Sequence, residues 1–92
     1  DIFPIYTVRK YPTFLEDLDM PLFQKAYLGY SDHTFGIAAC LKAIALGAQY
    51  IEKHFTLDKA KQCELEKAHM CSMDAHDLSQ IRTLGDAIRT IN

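Results

Sequence analysis

Residues 27–57 read YLGYSDHTFGIAACLKAIALGAQYIEKHFTL and contain two strand-like segments with an apolar helix between them. The segments Tyr27–His33 and Gln49–Leu57 are short and rich in aromatic and β-branched residues, which is typical of strands. Phe35–Leu46 is rich in Ala, Leu and Ile, and Gly47 follows it as a natural C-cap. This helix is apolar on nearly all sides, so we expect it to be buried. The order strand, helix, strand predicts a parallel pair joined by a crossover helix.

The same alternation continues on both sides of this unit. Ile2–Val8 predicts an earlier strand, 14–26 is weakly helical with an interruption at Pro21, and 59–70 reads as a polar loop. A final helix is predicted over residues 74–91, where apolar residues recur at spacings of three and four: Leu78, Ile81, Leu84, Ile88 and Ile91. The chain therefore predicts one α/β domain of three βα units over residues 1–92. Eight such units are needed to close a TIM barrel.

Composition excludes several classes of protein. The chain has 92 residues and a net charge of 10 − 12 = −2, without a run of Lys or Arg that would suit a nucleic acid. Its longest apolar stretch is broken by Lys42 and is too short to span a bilayer. Three cysteines and no secretory signal pattern predict free thiols and a cytoplasmic protein. The start at Asp1, directly before an apolar run, looks like a cut end.

Polar residues cluster at the ends of the second and third predicted strands, where α/β folds place their sites. Because side chains alternate along a strand, Ser31 and His33 share one face, as do Glu52 and His54. Two imidazoles at neighbouring strand ends suit a divalent metal with open positions for substrate. The alternatives are ordinary structural roles: Asp32 as a cap of the following helix, and Glu52 with Lys53 as a surface pair.

Several motifs together resemble the N-acetylneuraminate (sialic acid) synthase family, and the resemblance covers nearly the whole chain. Two motifs contain the histidines, Gly29-Tyr-Ser-Asp-His-Thr34 and Ile51-Glu-Lys-His-Phe-Thr-Leu-Asp58. Shorter matches accompany them: Tyr11-Pro-Thr13 with Glu16-Asp17, Gly36-Ile37, Ala45-Leu-Gly-Ala48 and Cys71-Ser-Met73.

The resemblance implies a fold and a reaction. Members of the family have a TIM barrel followed by a small antifreeze-like domain that completes the neighbouring subunit's site in a homodimer. They join phosphoenolpyruvate to an N-acetylated hexosamine to give sialic acids and related nonulosonic acids. This chain would supply the last three βα units of that barrel, inactive alone and prone to oligomerise or aggregate.

The resemblance also implies roles for single residues. The metal ligands fall on His33 and His54, and the metal is Mn²⁺ or Mg²⁺. Ser31 lies near the phosphate and Tyr11 faces both substrates, so Tyr11, Ser31 and Asp32 of these motifs are the expected catalytic residues.

The sequence departs from the family in four places. The family's Pro-Gly-Pro-Asp loop is absent, and Ala68 stands where its sugar-binding Asp would fall. Arg9 replaces the usual Ser or Asn two residues before Tyr11, where it binds a substrate phosphate or carboxylate, blocks the pocket, or extends into solvent. The segment from Asp17 to Ser31 is short, and the earlier βα units and the antifreeze-like domain lie outside the chain.

These departures keep other functions open. The amino sugar is undecided between N-acetylmannosamine-like, pseudaminate, legionaminate and spore-coat types. A second interpretation is a degenerate, non-catalytic barrel remnant that acts as a metal-binding or interaction module. A third is a small zinc domain using Cys63, His69 and Cys71, although their spacing matches no recognised zinc motif.

Overall fold

The computed structural model describes residues 4–23, 27–61 and 71–92, and within them it is an α/β fold with a parallel sheet. The strands are β1 (Ile5–Thr7), β2 (Gly29–Asp32) and β3 (Tyr50–Lys53), in the order β1-β2-β3. The helices are α1 (Ala38–Ala45) and α2 (Ala75–Ile91), with single 3₁₀ turns at Leu15–Asp17 and Lys59–Lys61. The predicted α/β class and parallel pairing are confirmed, whereas the three βα units and the barrel stay predictions, because only a 3₁₀ turn is described between β1 and β2 and three strands do not close a barrel.

The strands are shorter than the sequence predicts. The predicted strand 2–8 is observed from Ile5 to Thr7, and residues 1–3 lie outside the described part. The predicted strand 27–33 ends at Asp32, whose carboxylate turns the chain by accepting the Thr34 amide. The predicted strand 49–57 ends at Lys53, after which the chain pairs with a later segment through the Phe55–Met73 bridge.

The helices also differ at their ends. The predicted helix 35–46 begins at Ala38 because Gly36 has a φ of +77°, which is not helical. The predicted helix 74–91 begins one residue later, with Asp74 as its N-cap accepting the Asp77 amide. The described part of the weakly helical segment, residues 14–23, contains a 3₁₀ turn at Leu15–Asp17, while its residues 24–26 and residues 62–70 of the predicted loop lie outside the described part.

The core lies between one face of the sheet and the two helices. Tyr30 and Phe23 are buried against α1, which presents Ala39, Cys40, Ala43 and Ile44 to it. From α2, Ile81 and Gly85 are buried, and Gly85 lets α2 approach Ile44, since a Cβ there would lie 2.8 Å from the Ile44 Cδ1. Ile88 also packs, partly buried, against the core, whereas Leu78, Leu84 and Ile91 of the predicted apolar stripe are more exposed than expected.

The opposite face of the sheet carries Thr7, Ser31 and Glu52 and lines a cavity. Ile5 and Tyr50 on this face are 42 % and 52 % exposed, and β1 and β3 are the outer strands of the described sheet. Among the described residues, neither helix has the length and apolar character needed to cross a bilayer.

Candidate active site

A cavity of about 620 Å³ opens beside the C-terminal ends of the three strands. Its lining comes from alternate residues of each strand and of the segment that follows, as the strand periodicity predicts. The lining residues are Ile5, Thr7, Arg9, Tyr11, Ser31, His33, Glu52 and His54. The structure thus brings together five of the six predicted site residues and leaves Asp32 on the other face.

His33 and His54 lie side by side in this cavity. Their ring centroids are 6.1 Å apart with the rings tilted by 49°, and the ring of Tyr11 packs edge-on against His33 at 4.5 Å. The Thr7 Oγ1 lies 3.5 Å from the His33 Nδ1. Hydrogen bonds also hold both backbones, since the His33 carbonyl accepts the Thr13 amide and the His54 carbonyl accepts the Met73 amide.

The surroundings of His33 favour its neutral form. Partial burial is the largest effect and lowers its pKa; the charge of Asp32 opposes it, and the adjacent His54 lowers the pKa further against still smaller effects of Glu52 and the Val8 backbone. A neutral imidazole is the form that binds a metal. The two rings are close enough to share one cation, whose bonds to histidine nitrogen are about 2 Å long. The donor chemistry therefore fits a divalent ion, although residues 4–23, 27–61 and 71–92 contain no group of three or more His, Cys, Asp or Glu side chains that could hold one.

Ser31 is paired with a carboxylate that the sequence did not single out as a site residue. The Ser31 hydroxyl donates to the Glu52 Oε1 at 2.7 Å, and the two residues are direct partners in the β2–β3 register. The signal was present in the strand periodicity, which places Glu52 on the same face as His54. The Ser31 hydroxyl has one hydrogen to donate, so a phosphate that accepts this hydrogen bond would have to compete with the Glu52 carboxylate.

Asp32 points away from the cavity into a buried hydrogen-bonded network. Its carboxylate accepts from the Tyr30 hydroxyl at 2.5 Å and the Thr34 hydroxyl at 2.8 Å, and forms an ion pair with Lys53 at 2.5 Å. The alternative role as a helix cap is wrong, because α1 begins at Ala38 after Ile37. The catalytic role expected of Asp32 stays a prediction, and these contacts favour a positioning role.

For Lys53, the predicted position on the surface is wrong. Next to Glu52 it read as half of a surface pair, yet its side chain is 1 % exposed and its partner is Asp32. The pairing follows from the β2–β3 register, in which Asp32 faces Lys53, and only a structure gives that register.

Arg9 and Tyr11 lie at the rim of the cavity. Both line it while remaining solvent-exposed, and the expected role of Arg9 as an anion ligand stays a prediction. Of the proposed zinc ligands, Cys63 and His69 lie outside the described residues. Cys71 is buried, and burial raises the pKa of its thiol, which disfavours the thiolate that a metal needs.

Comparison with known proteins shows which family the chain belongs to. The NeuB family model matches residues 5–92. A pseudaminic acid synthase of Campylobacter jejuni is 36 % identical over 97 % of this chain and 26 % of its own length. An N-acetylneuraminate-9-phosphate synthase of Drosophila melanogaster is 33 % identical over 86 % of this chain and 22 % of its own length.

A solved structure agrees with the sequence matches. The N-acetylneuraminic acid (sialic acid) synthetase of Leptospira borgpetersenii, in complex with citrate, superimposes with a TM-score of 0.81 at 32 % identity. The match covers 95 % of this chain and 32 % of that protein, and the chain spans about a quarter of the curated relatives named above. The family model and the superposition both extend over nearly all of the chain, which therefore belongs to the NeuB family.

Proposed function

We propose that this chain supplies one side of the active site of a synthase that condenses phosphoenolpyruvate with an N-acetylated hexosamine to a nonulosonic acid. The observation that carries the proposal is the cavity that unites His33, His54, Ser31, Tyr11 and Arg9 at one edge of the sheet. The relatives named above make different sugar acids, so the amino sugar stays open between their substrate types.

In this reaction C3 of phosphoenolpyruvate forms a bond to the aldehyde carbon of the open-chain sugar, water adds at C2, and inorganic phosphate leaves. His33 and His54 would hold Mn²⁺ or Mg²⁺, which when bound supplies a Lewis acid that polarises the aldehyde. Their neutral imidazoles leave the charge of the cation uncancelled.

The chain's own residues have separate tasks in this scheme. Arg9 offers a planar pair of N–H donors to a phosphate or carboxylate, and Ser31 offers a neutral donor. Glu52 accepts a hydrogen bond from the Ser31 hydroxyl and so orients it until a substrate anion replaces Glu52 as the acceptor. Tyr11 packs on His33 and forms an apolar wall with one hydroxyl at the cavity rim.

The intact protein that contains this segment is proposed to be a cytoplasmic homodimer with a complete TIM barrel. The chain alone, at about a quarter of the length of its relatives, is proposed to be inactive. The second candidate, a non-catalytic remnant, is favoured by the absence of the Pro-Gly-Pro-Asp motif from the sequence.

A chimera distinguishes the two candidates. Residues 5–92 replace the matching segment of the Campylobacter pseudaminic acid synthase, and phosphate release is measured with phosphoenolpyruvate, Mn²⁺ and a panel of N-acetylated hexosamines. We expect turnover with at least one sugar, lost in His33→Ala and His54→Ala but kept in His76→Ala, which alters an exposed position on α2. A folded dimeric chimera that releases no phosphate with any sugar would favour the remnant.

A further inference from the structure

A buried ion pair lies immediately behind the two histidines. Asp32 precedes His33 and Lys53 precedes His54, and the two are register partners on the helix-facing side of the sheet. Their side chains are 0 % and 1 % exposed, with the Lys53 Nζ 2.5 Å from the Asp32 Oδ2. The pair therefore connects the last residues of β2 and β3 at the point from which both imidazoles project into the cavity.

The other hydrogen bonds of this ion pair involve Thr34, so they connect the residues that precede and follow His33 in the chain. The Lys53 Nζ also donates to the Thr34 carbonyl at 2.7 Å, and the Thr34 hydroxyl and amide donate to Asp32. The residues on both sides of His33 are thus tied to the same ammonium on β3. On the far side of the carboxylate, the Tyr30 hydroxyl donates to its Oδ1.

Stability alone is a weak reason for such a pair. Burying two charges costs much of what their attraction returns, and apolar replacements of similar size are often as stable. What an apolar pair cannot reproduce is the directional link from Lys53 to both Asp32 and the Thr34 carbonyl. That link fixes the two strand ends relative to each other.

We propose that Asp32 and Lys53 are positioning residues whose buried ion pair sets the spacing between the His33 and His54 imidazoles. The inference rests on the proposed function insofar as those imidazoles hold a divalent cation. It assigns to Asp32 a role through His33 and His54, without contact with substrate.

The test uses the chain with ¹³C-labelled histidine and the double variant Asp32→Asn/Lys53→Met, which removes both charges together. Two quantities are measured: cross-relaxation between the His33 and His54 ring protons without metal, and the Kd for Mn²⁺. The matched control is Lys59→Met/Asp77→Asn, which neutralises an ion pair of the same 2.5 Å length between the Lys59–Lys61 turn and α2.

We expect the double variant to keep its amide spectrum, to lose the ring-to-ring signal and to bind Mn²⁺ about ten-fold or more weakly. The control should match the unmodified chain in both quantities. A folded double variant with an unchanged ring signal and a Kd within two-fold of the unmodified chain would overturn the proposal.

If the double variant does not fold, Lys53→Arg decides the question. The guanidinium keeps the charge but cannot place one nitrogen between Asp32 and the Thr34 carbonyl as the ammonium does. We expect a weakened ring signal and weaker Mn²⁺ binding in this variant, and unchanged values would overturn the proposal. An unmodified chain that shows the ring signal without binding Mn²⁺ would reject the metal site alone and leave the positioning role to be judged on the ring signal.

Discussion

The buried hydroxyl of Tyr30 is expected to contribute to the stability of the fold, because its acceptor is a charged carboxylate. The ring is 1 % exposed and its hydroxyl donates to Asp32, and burial with this bond raises the pKa of the phenol far above its ordinary value. Tyr30→Phe should lower the free energy of unfolding by about 1.5–3 kcal/mol, the range for a hydrogen bond to a charged group.

The control for Tyr30 is Tyr6→Phe. The Tyr6 hydroxyl accepts the Asp19 amide at 3.0 Å in an exposed place, so its removal should cost about 0.5–1.5 kcal/mol or less. Urea unfolding monitored by circular dichroism measures both, and equal losses would show that the Asp32 network adds no special stability.

Arg9 is a second single residue whose effect can be predicted, and it stands where family members usually carry Ser or Asn. In the chimera, Arg9→Ser should raise the KM for phosphoenolpyruvate about 10- to 150-fold, as expected from losing a charge-assisted hydrogen bond of about 1.5–3 kcal/mol. The KM for the amino sugar should not change, and Arg82→Ser on α2 serves as the control. Tighter binding of phosphoenolpyruvate in Arg9→Ser would show that the guanidinium obstructs the cavity.

Single residues also show where sequence reasoning reached its limit. The shared face of Ser31 with His33, and of Glu52 with His54, follows from strand periodicity alone and is what the structure has. The burial of Lys53 could not be predicted, because a lysine beside a glutamate is usually solvated. Its partner is 21 positions away and is brought to it by the register of β2 and β3.

At the scale of elements, α2 begins with two mutually capping carboxylates and a lysine from the preceding turn. The Asp74 carboxylate accepts the Asp77 amide, the Asp77 carboxylate accepts the Asp74 amide, and Lys59 pairs with Asp77 at 2.5 Å. The hydrogen bond from Lys59 is the largest cause that lowers the pKa of Asp77 below 3.8. A lowered pKa means that the charged form stabilises the folded state.

The contribution of Asp77 should therefore be complete above about pH 4 and be lost as the pH falls through the folded-state pKa. The stability difference between the unmodified chain and Asp77→Asn should be constant near neutral pH and shrink towards pH 2. Asp86→Asn, at an exposed position of the same helix, is the control for general charge effects. A difference that grows on acidification would contradict the assigned ion pair. Because the Lys59 side chain is 45 % exposed, the effect should be small and should weaken with salt.

The ends of the elements explain the remaining differences from prediction. Periodicity identified both helices, but α1 starts three residues late because Gly36 adopts a φ of +77° that the apolar pattern does not reveal. The segment 14–26 reads as weakly helical with an interruption at Pro21, and its described residues 14–23 contain a 3₁₀ turn at Leu15–Asp17.

At the scale of the whole molecule, one face of the sheet and both outer strands of the described sheet are uncovered. Ile5 and Tyr50 stand on that face, while Leu57 and Ile91 are 94 % and 85 % exposed. Exposed apolar surface and unpaired strand edges favour self-association. We therefore expect the chain alone to associate with increasing concentration in sedimentation velocity. A sharp, reversible, concentration-independent melt of a monomer would contradict this expectation.

His33 and His54 are proposed to hold one divalent cation at the carboxyl edge of the sheet. Paramagnetic Mn²⁺ tests it most directly, because it broadens the signals of nearby nuclei even when binding is weak. In the chain with ¹³C-labelled histidine, small additions of Mn²⁺ should broaden the ring signals of His33 and His54 together, well before that of His76 on α2. Equal broadening of all histidines, or broadening of His76 ahead of the other two, would contradict the claim.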